Sequence, residues 1–259
     1  MTGPRNRWAA CRWLLTALAL AATGCAGSPS AGGEDDDAPV RAEYDPLEPL
    51  NRGLYTLNDV VDRYTLKPIA RGYKAIMPGF ARRGVTNFSR NLATPRSAIN
   101  NFLQGKPGPG FTDLGRFLLN STFGLAGLID IASAEGIPVY DEDFGQTLAV
   151  WGLPEGPYVF IPILGPNTLL DALSIPIDIL SDPLYHYDDS SVRDKLYVLR
   201  VIDLRMRLLS AERLLEDSKD PYLTVRESYL QNRRFQVYDG NPPSSDEEED
   251  LFDEFFEEE

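Results

Sequence analysis

The stretch at 44–64, YDPLEPLNRGLYTLNDVVDRY, predicts the kind of structure that this chain forms. Asp45 stands where a helix N-cap belongs, Pro46 stands at the first helical position, and Glu48 stands where the acid of a capping box is expected. Apolar residues then recur at steps of three and four, the spacing of one face of an α-helix: Leu47, Leu50, Leu54, Leu57 and Val61. The stretch therefore predicts an amphipathic helix.

The same kind of start signal recurs along the chain. Asp182 and Asp220 each precede a proline, Thr94–Pro95 opens a segment that stops at Gly105, and Ser190 opens the longest helical pattern. Twenty prolines and 21 glycines keep the predicted elements short. We therefore expect an all-α, single domain of short amphipathic helices over residues 44–238.

One segment is predicted to be extended instead of helical. It is GPYVFIPILGP at 156–166, which is apolar on both faces and carries prolines that exclude it from the centre of a sheet. An extended apolar hairpin of this kind is expected either to be buried or to lie in lipid. The next stretch contains Asp171, Asp178 and further prolines, which argues against a transmembrane helix there.

The N-terminus has the features of a secretory signal. An apolar run, Trp13–Ala22, follows three arginines, Arg5, Arg7 and Arg12, and is too short to span a hydrocarbon layer of about 30 Å as a helix. Small residues then lead to Cys25, as in a bacterial lipobox. We predict a lipoprotein signal peptide at 1–24 with Cys25 as the lipid anchor; the alternative is an ordinary signal peptide with a coincidental cysteine.

Small and acidic residues follow Cys25, so 25–43 is predicted to be a lipidated, flexible tether. Two or three acyl chains such as palmitate hold a protein much more firmly than one, since each buried methylene contributes about 0.8 kcal/mol. Ala26 stands where an aspartate commonly signals retention in the inner membrane. The predicted location is therefore the outer membrane, with the protein anchored on its periplasmic side.

The net charge of −14 is concentrated at one end of the chain. Asp246–Glu259 holds ten acidic residues and no basic one, whereas 44–245 carries about −3. This is not the charge distribution of a nucleic-acid-binding protein. We predict an acidic disordered tail at 239–259, either simply solvated or weakly docked on a partner through its apolar residues, Leu251, Phe252, Phe255 and Phe256.

Motifs for catalysis are missing from the sequence. His186 is the single histidine; a catalytic or metal site could be imagined from it with Asp182, Asp188 and Asp189, although acids are expected beside helix starts in any case. The sequence has no G-x-S-x-G, H-E-x-x-H or phosphate-binding glycine loop. We therefore predict that the protein is not an enzyme and needs no metal or cofactor.

Five ordered blocks of sequence carry a resemblance to a known family. They are YDPLEPLNRGLYTLND, NFSRNLATPRSAINNFLQGK, RFLLNSTFGLAGLIDIAS, EDFGQTLAVWGLPEGPYVFIPILGP and DPYLTVRESYLQNRR. Together they resemble the VacJ/MlaA family of outer-membrane lipoproteins, over about residues 44–234. One departure is Leu170, where the family pattern has an arginine before the aspartate.

The resemblance implies a fold and a function. It implies a ring-like helical domain in the inner leaflet of the outer membrane, with an amphipathic central channel. It also implies association with a trimeric porin and transfer of phospholipid, mislocalised in the outer leaflet, to the periplasmic carrier MlaC. Such transport maintains lipid asymmetry and breaks no covalent bond.

Candidate site residues follow from the family analogy and from the apolar hairpin. The helix around Leu57, Asn58 and Asp59 is a candidate channel wall. Tyr158, Phe160, Ile161, Ile163 and Leu164 are candidates for a lipid-facing rim or channel mouth, with simple burial as the alternative. Four asparagines in apolar helical runs either line the channel or satisfy polar groups between helices: Asn91, Asn100, Asn101 and Asn120.

Two rival functions belong to other classes. The chain could be a structural lipoprotein that scaffolds porins or the cell envelope without transporting lipid. It could also be a phospholipid hydrolase built around His186.

Overall fold

The computed structural model describes residues 45–212, 215 and 217–242. Cys25, the predicted signal peptide and tether, and the tail from residue 243 onward lie outside these residues. Within them the chain is mainly helical, with one two-stranded sheet.

The elements follow one another in this order: α1 Glu48–Tyr64, α2 Leu66–Ile76, α3 Gly79–Leu103, α4 Pro107–Thr122, α5 Ile131–Ala134, α6 Phe144–Val150, β1 Tyr158–Ile161, β2 Gly165–Thr168, α7 Leu169–Ser181, a 3₁₀-helix Pro183–His186, α8 Ser190–Leu208 and α9 Pro221–Val237. The two strands are antiparallel, with Tyr158 opposite Thr168 and Ile161 opposite Gly165. The second strand, GPNT, is polar, so the apolar character predicted for this segment belongs to β1 and the turn.

Two of the aspartate–proline signals start helices as predicted. The carboxylate of Asp220 accepts the backbone N–H groups of Tyr222 and Leu223, and that of Asp182 accepts the N–H of Leu184. Each bond satisfies a backbone donor that has no partner inside its helix. The longest predicted helix also begins where expected, at Ser190.

The first helix starts later than predicted. Asp45 is not its N-cap: the carboxylate of Asp45 accepts the N–H of Leu47 at 3.0 Å, and its carbonyl accepts the N–H of Glu48 at 3.2 Å. These bonds form a turn at 45–47, and helix α1 begins only at Glu48.

The prediction of a new helix at Thr94–Pro95 is wrong. Helix α3 runs through Pro95 without a break, although proline cannot donate a hydrogen bond to the carbonyl four residues earlier. Packing outweighs this loss, since α3 lies along α4 and buries Ser97, Ala98 and Asn101 just beyond the proline. Tertiary contacts override the local signal here.

The helices contact one another in a definite order. Helix α1 packs on α2, α2 on α8, α8 on α3, and α3 on α4, α6 and α7. Helix α7 contacts both strands, and β1 returns to α1. Helix α9 packs on α6 and β2.

Polarity is distributed in an unusual way. Among the described residues, eight apolar side chains are buried against seventeen polar or charged ones. Thirty-seven large apolar side chains are exposed, including Ile76 at 83%, Phe123 at 74% and Leu173 at 66%. Soluble domains show the opposite trend, with charged residues almost never buried unless paired. Over the part of the chain that the structure covers, no single helix combines the length and apolarity that crossing a membrane requires.

Candidate functional site

The hairpin β1–β2 is fastened to helix α1 by a buried asparagine. The amide nitrogen of Asn51 donates to the carbonyl of Tyr158 at 2.9 Å, and its oxygen accepts the N–H of Phe160 at 2.9 Å. The side chain thus imitates the edge of a neighbouring strand. Two backbone groups that would otherwise be unpaired in the interior are satisfied by one residue.

Two of the predicted hairpin residues lie in the core. Tyr158 and Phe160 are each 4% exposed and pack with Tyr222 of α9. The rings meet edge to face, with centroids 6.1 Å apart for Tyr158 and Tyr222 and 5.5 Å apart for Phe160 and Tyr55. Burial raises the pKa of the Tyr158 phenol. These two residues hold the hairpin in place and do not present a surface to lipid.

The turn of the hairpin behaves differently. Ile163 and Leu164 are 72% and 60% exposed, and Ile163 has a φ of 73°. A β-branched residue is strained in this left-handed region, and such strain persists only where the surroundings impose it. Here the N–H of Ile163 donates to Oδ1 of Asn58 on α1 at 2.8 Å. The structure therefore brings together the two segments that the sequence singled out.

The remaining predicted residues surround this contact. Leu57 is 54% exposed on α1, and Ile161 is half-buried at the end of β1. Asp59 forms an exposed ion pair with Arg63 at 2.8 Å. We define the tip as Leu57, Ile163 and Leu164, three exposed apolar side chains beside the hydrogen bond between Ile163 and Asn58.

Sequence reasoning missed a buried cluster at the start of the domain. The carboxylate of Asp45 accepts a hydrogen bond from the Tyr222 hydroxyl at 2.6 Å and lies 3.5 Å from the guanidinium of Arg226, and both charged side chains are 1% exposed. Asn51 donates to the same carboxylate at 3.2 Å. Residue 45, where the described chain begins, is thus joined to the C-terminal helix.

A second missed cluster joins α9 to α6 and α7. Arg233 makes a bidentate ion pair with Asp143, at 2.6 and 2.8 Å, and a further one with Asp171, which also accepts the hydroxyl of Tyr229. Burial by itself raises the pKa of Asp143, but the hydrogen bonds and charge of Arg233 outweigh it, so the net shift is downward. Gly145 is required beside this pair, since a Cβ there would lie 2.3 Å from the Asp171 carboxylate.

One sequence signal could have found both clusters. Arg226, Tyr229 and Arg233 are spaced at i, i+3 and i+7, so they share one face of α9. A rule that places the apolar face of a helix inside would assign this face to solvent, because two of its three residues are arginines. In the structure it is the buried face, and Leu230 and Tyr229 flank the aromatic core.

The four asparagines of the apolar helical runs bond between elements. Asn100 accepts the hydroxyl of Thr147 at 2.9 Å, Asn101 donates to Asp113 at 3.1 Å, and Asn91 donates to Ser121 at 2.9 Å. Asn120 donates to Asp130 and accepts the N–H of Ala132. Of the two readings left open, the structure favours polar links between packed elements.

Asp113 is the most perturbed carboxylate of this network. It is 1% exposed, and burial raises its pKa to about 6 against the opposing hydrogen bonds from Ser97 at 2.6 Å and Asn101 at 3.1 Å. One of its oxygens has no hydrogen-bond partner among the residues that the structure covers.

His186 stands apart from these clusters. Its Nε2 lies 2.8 Å from the carbonyl oxygen of Leu180, at an exposed position. Within residues 45–212, 215 and 217–242, no group of three or more histidines, cysteines and acids is placed to hold a metal ion.

Fold and site together define a class: a helical domain with a hydrogen-bonded polar interior, many large apolar side chains on its exterior and an exposed apolar hairpin tip. Comparison with known proteins gives the family. The sequence profile described as MlaA lipoprotein matches residues 43–236, and the chain belongs to this family.

Relatives and a solved structure agree with that assignment. The chain is 35% identical over 240 residues to the intermembrane phospholipid transport system lipoprotein MlaA of Haemophilus influenzae, covering 90% of this chain and 94% of the relative. It is 34% identical over 249 residues to the protein of the same description from Escherichia coli K12, covering 92% and 97%. It also matches a solved structure from work on the structural basis for maintenance of bacterial outer membrane lipid asymmetry, with a TM-score of 0.67, 37% identity, and coverage of 75% of this chain and all of the other.

Proposed function

We propose that this protein is a lipid-anchored outer-membrane lipoprotein that takes mislocalised phospholipids from the outer leaflet through an amphipathic passage and delivers them to a periplasmic carrier. The observation that carries the proposal is the inverted polarity of the domain, with Arg226, Arg233 and Asp113 buried while large apolar side chains face outward. A surface of this kind is stable in hydrocarbon and costly in water. The naming of the relatives as phospholipid transport lipoproteins supports the same function.

The physical difficulty of the task is the lipid headgroup. Moving a charged group through hydrocarbon without a polar partner costs many kcal/mol, whereas acyl tails remain in their preferred medium throughout. A polar path beside an apolar exterior lowers the cost of moving the headgroup and leaves the acyl tails in hydrocarbon. No covalent bond changes, so the protein acts without catalytic residues.

The order of helix packing supports a ring around such a path. Starting from α1, the contacts pass through α2, α8, α3, α7 and the strands and return to α1. An apolar cavity of about 240 Å³ lies between α3, α8 and the 125–128 loop, with Val85, Phe88 and Leu199 among its lining residues. Its lining suits an acyl chain.

Location and partners belong to the same proposal. Acylation of Cys25 would hold the protein at the periplasmic side of the outer membrane, and the tether at 25–43 would let the domain settle into the leaflet. The expected partners are phospholipid, a trimeric porin and the soluble carrier MlaC. The scaffold hypothesis shares the anchor and the porin but predicts no lipid transfer.

Reconstitution tests the proposal. The full acylated chain is placed in nanodiscs with a fluorescent phospholipid, and transfer to purified MlaC is followed with time. Replacement of an apolar tip residue by an acid, Leu164→Asp, is expected to slow transfer at least tenfold without lowering the unfolding temperature, while the matched Leu164→Met keeps the wild-type rate. Wild-type protein that neither binds phospholipid nor passes it to the carrier would support the scaffold instead.

A further inference from the structure

One part of the chain carries a charge opposite to that of the whole. Between Arg63 and Thr112 there are nine lysines and arginines and no aspartate or glutamate, in a protein whose net charge is −14. Some of these bases are neutralised by distant acids; Lys67, for example, lies 3.0 Å from Glu212. Others are not.

Two unpaired arginines share a face of α3. Arg83 and Arg90 are seven residues apart, so they project from the same side of the helix, and both are exposed. Neither makes an ion pair or a hydrogen bond through its guanidinium with any part of residues 45–212, 215 or 217–242. Phe80, 71% exposed, precedes Arg83 by one turn. We call Phe80, Arg83 and Arg90 the basic stripe.

The same chain contains a segment of complementary chemistry. Residues 246–250 are five consecutive acids, Asp253 and Glu254 follow, and Phe255 and Phe256 come next. The last described residues before this segment lie beside the end of α3, because Asp239 is ion-paired with Lys106 at 2.6 Å.

The distances are compatible. At a rise of about 1.5 Å per residue, Arg90 lies roughly 24 Å and Arg83 roughly 35 Å along the α3 axis from Lys106. An extended chain spans about 3.3 Å per residue, so from Asp239, which lies beside Lys106, the acids at 246–250 reach up to about 23–36 Å and those at 253–254 up to about 46–50 Å. The two acidic groups therefore fall within reach of the two arginines.

We propose that the acidic tail, residues 246–259, docks on the basic stripe of its own chain. The acids at 246–250 pair with Arg90, Asp253 and Glu254 pair with Arg83, and the adjacent phenylalanines cover Phe80. The docked tail shields cationic side chains that would otherwise attract anionic lipid headgroups. Exposed ion pairs are individually weak and are screened by salt, so this contact is reversible and sensitive to ionic strength.

Crosslinking in the full chain tests the contact directly. Arg90→Lys and Arg83→Lys keep the charge and supply amines that a carbodiimide can join to carboxylates; Arg234→Lys, at an exposed arginine of α9, is the matched control. We expect intramolecular crosslinks from positions 83 and 90 to residues 246–254, at least fivefold above the control, falling severalfold between 50 mM and 500 mM NaCl. Crosslinks no more frequent than in the control, or found only between differently isotope-labelled copies, would overturn the proposal.

Vesicle binding tests whether the tail or a membrane occupies the basic stripe. The chain truncated after Pro242 is expected to bind vesicles of phosphatidylcholine with 30 mol% phosphatidylglycerol at least threefold more tightly than the full chain, and Arg83→Glu/Arg90→Glu should abolish that difference. If full and truncated chains bind equally and the double substitution weakens both alike, the stripe contacts headgroups and the tail does not occupy it. Neither result depends on lipid transfer, so the proposed transport function can fail or succeed independently.

Discussion

Removing the Arg233 guanidinium, one of the two that are buried on α9, gives the most direct test of the polar interior. Arg233 is 5% exposed and is the cation shared by Asp143 and Asp171. In Arg233→Met the side chain keeps much of its bulk, but two largely buried carboxylates, with side chains 24% exposed at Asp143 and 11% at Asp171, lose their positive partner. The variant therefore isolates the electrostatic contribution from the packing contribution.

The expected cost is large. Breaking a buried ion pair by removing one partner destabilises a protein by about 3–5 kcal/mol, because the remaining charge is left uncompensated. For a domain of about 200 residues each kcal/mol shifts the unfolding temperature by roughly 2–4 °C, which gives about 6–20 °C. Circular dichroism of the detergent-solubilised protein during heating measures this shift.

The control is the neighbouring exposed arginine. Arg234→Met removes a charge of the same type that has no ion-pair partner in the described chain, and it should change stability by less than about 0.5 kcal/mol. An equal shift in both variants would refute the reasoning.

The pH dependence supplies a second check. In the wild type the pKa of Asp143 is lowered, so its stabilising effect is present above the unfolded pKa and is lost as the pH falls through the folded pKa. Without Arg233, burial raises that pKa instead, and protonation relieves the penalty as the pH falls. The gap between wild type and Arg233→Met should therefore narrow from pH 7.5 to pH 4.5; a constant gap would contradict an electrostatic origin.

Two further predictions concern the interior of α3–α4 and the hairpin. The pKa of Asp113 is raised from 3.8 to about 6, so the wild type loses stability as the pH rises through that interval; Asp113→Asn should not, and should gain about 1–3 kcal/mol over the wild type by pH 7 in thermal unfolding. A variant with the same pH profile as the wild type would disprove this. Asn51→Ala leaves the carbonyl of Tyr158 and the N–H of Phe160 unpaired in the core, at a cost of about 2–4 kcal/mol, and should accelerate amide exchange at Phe160. Asn58→Ala frees only the exposed N–H of Ile163 and should cost less than about 1 kcal/mol; equal effects of the two would argue against the proposed fastening of β1.

Local signals in the sequence predicted a good part of the fold. Asp182 and Asp220 begin helical segments because an aspartate carboxylate satisfies free backbone donors wherever it precedes a turn of helix. The same logic failed at Thr94–Pro95, where packing of α3 against α4 carries the helix through the proline. Local propensity is a small term, and burial of a whole helix face exceeds it.

The candidate site was predicted in part. The sequence singled out Leu57–Asp59 and the apolar segment at 156–166, and the structure joins them through Asn58 and Ile163. It did not distinguish Tyr158 and Phe160, which are core residues, from Ile163 and Leu164, which are exposed. Tyr158 and Phe160 are buried because side chains two residues apart lie on the same face of a strand. Ile163 and Leu164 are exposed because they lie in the turn, where Ile163 has a left-handed backbone.

The sequence by itself determined the helical class, the helix starts signalled by Asp182, Ser190 and Asp220, the family blocks and the concentration of acid at the C-terminus. These depend on residue type and on neighbours within one or two turns of the chain. Only the tertiary structure decided that Arg226 and Arg233 lie inside, paired with acids from 45, 143 and 171, and that many leucines and isoleucines lie outside. Burial of a charge depends on partners that are distant in sequence, and no local pattern records where they meet.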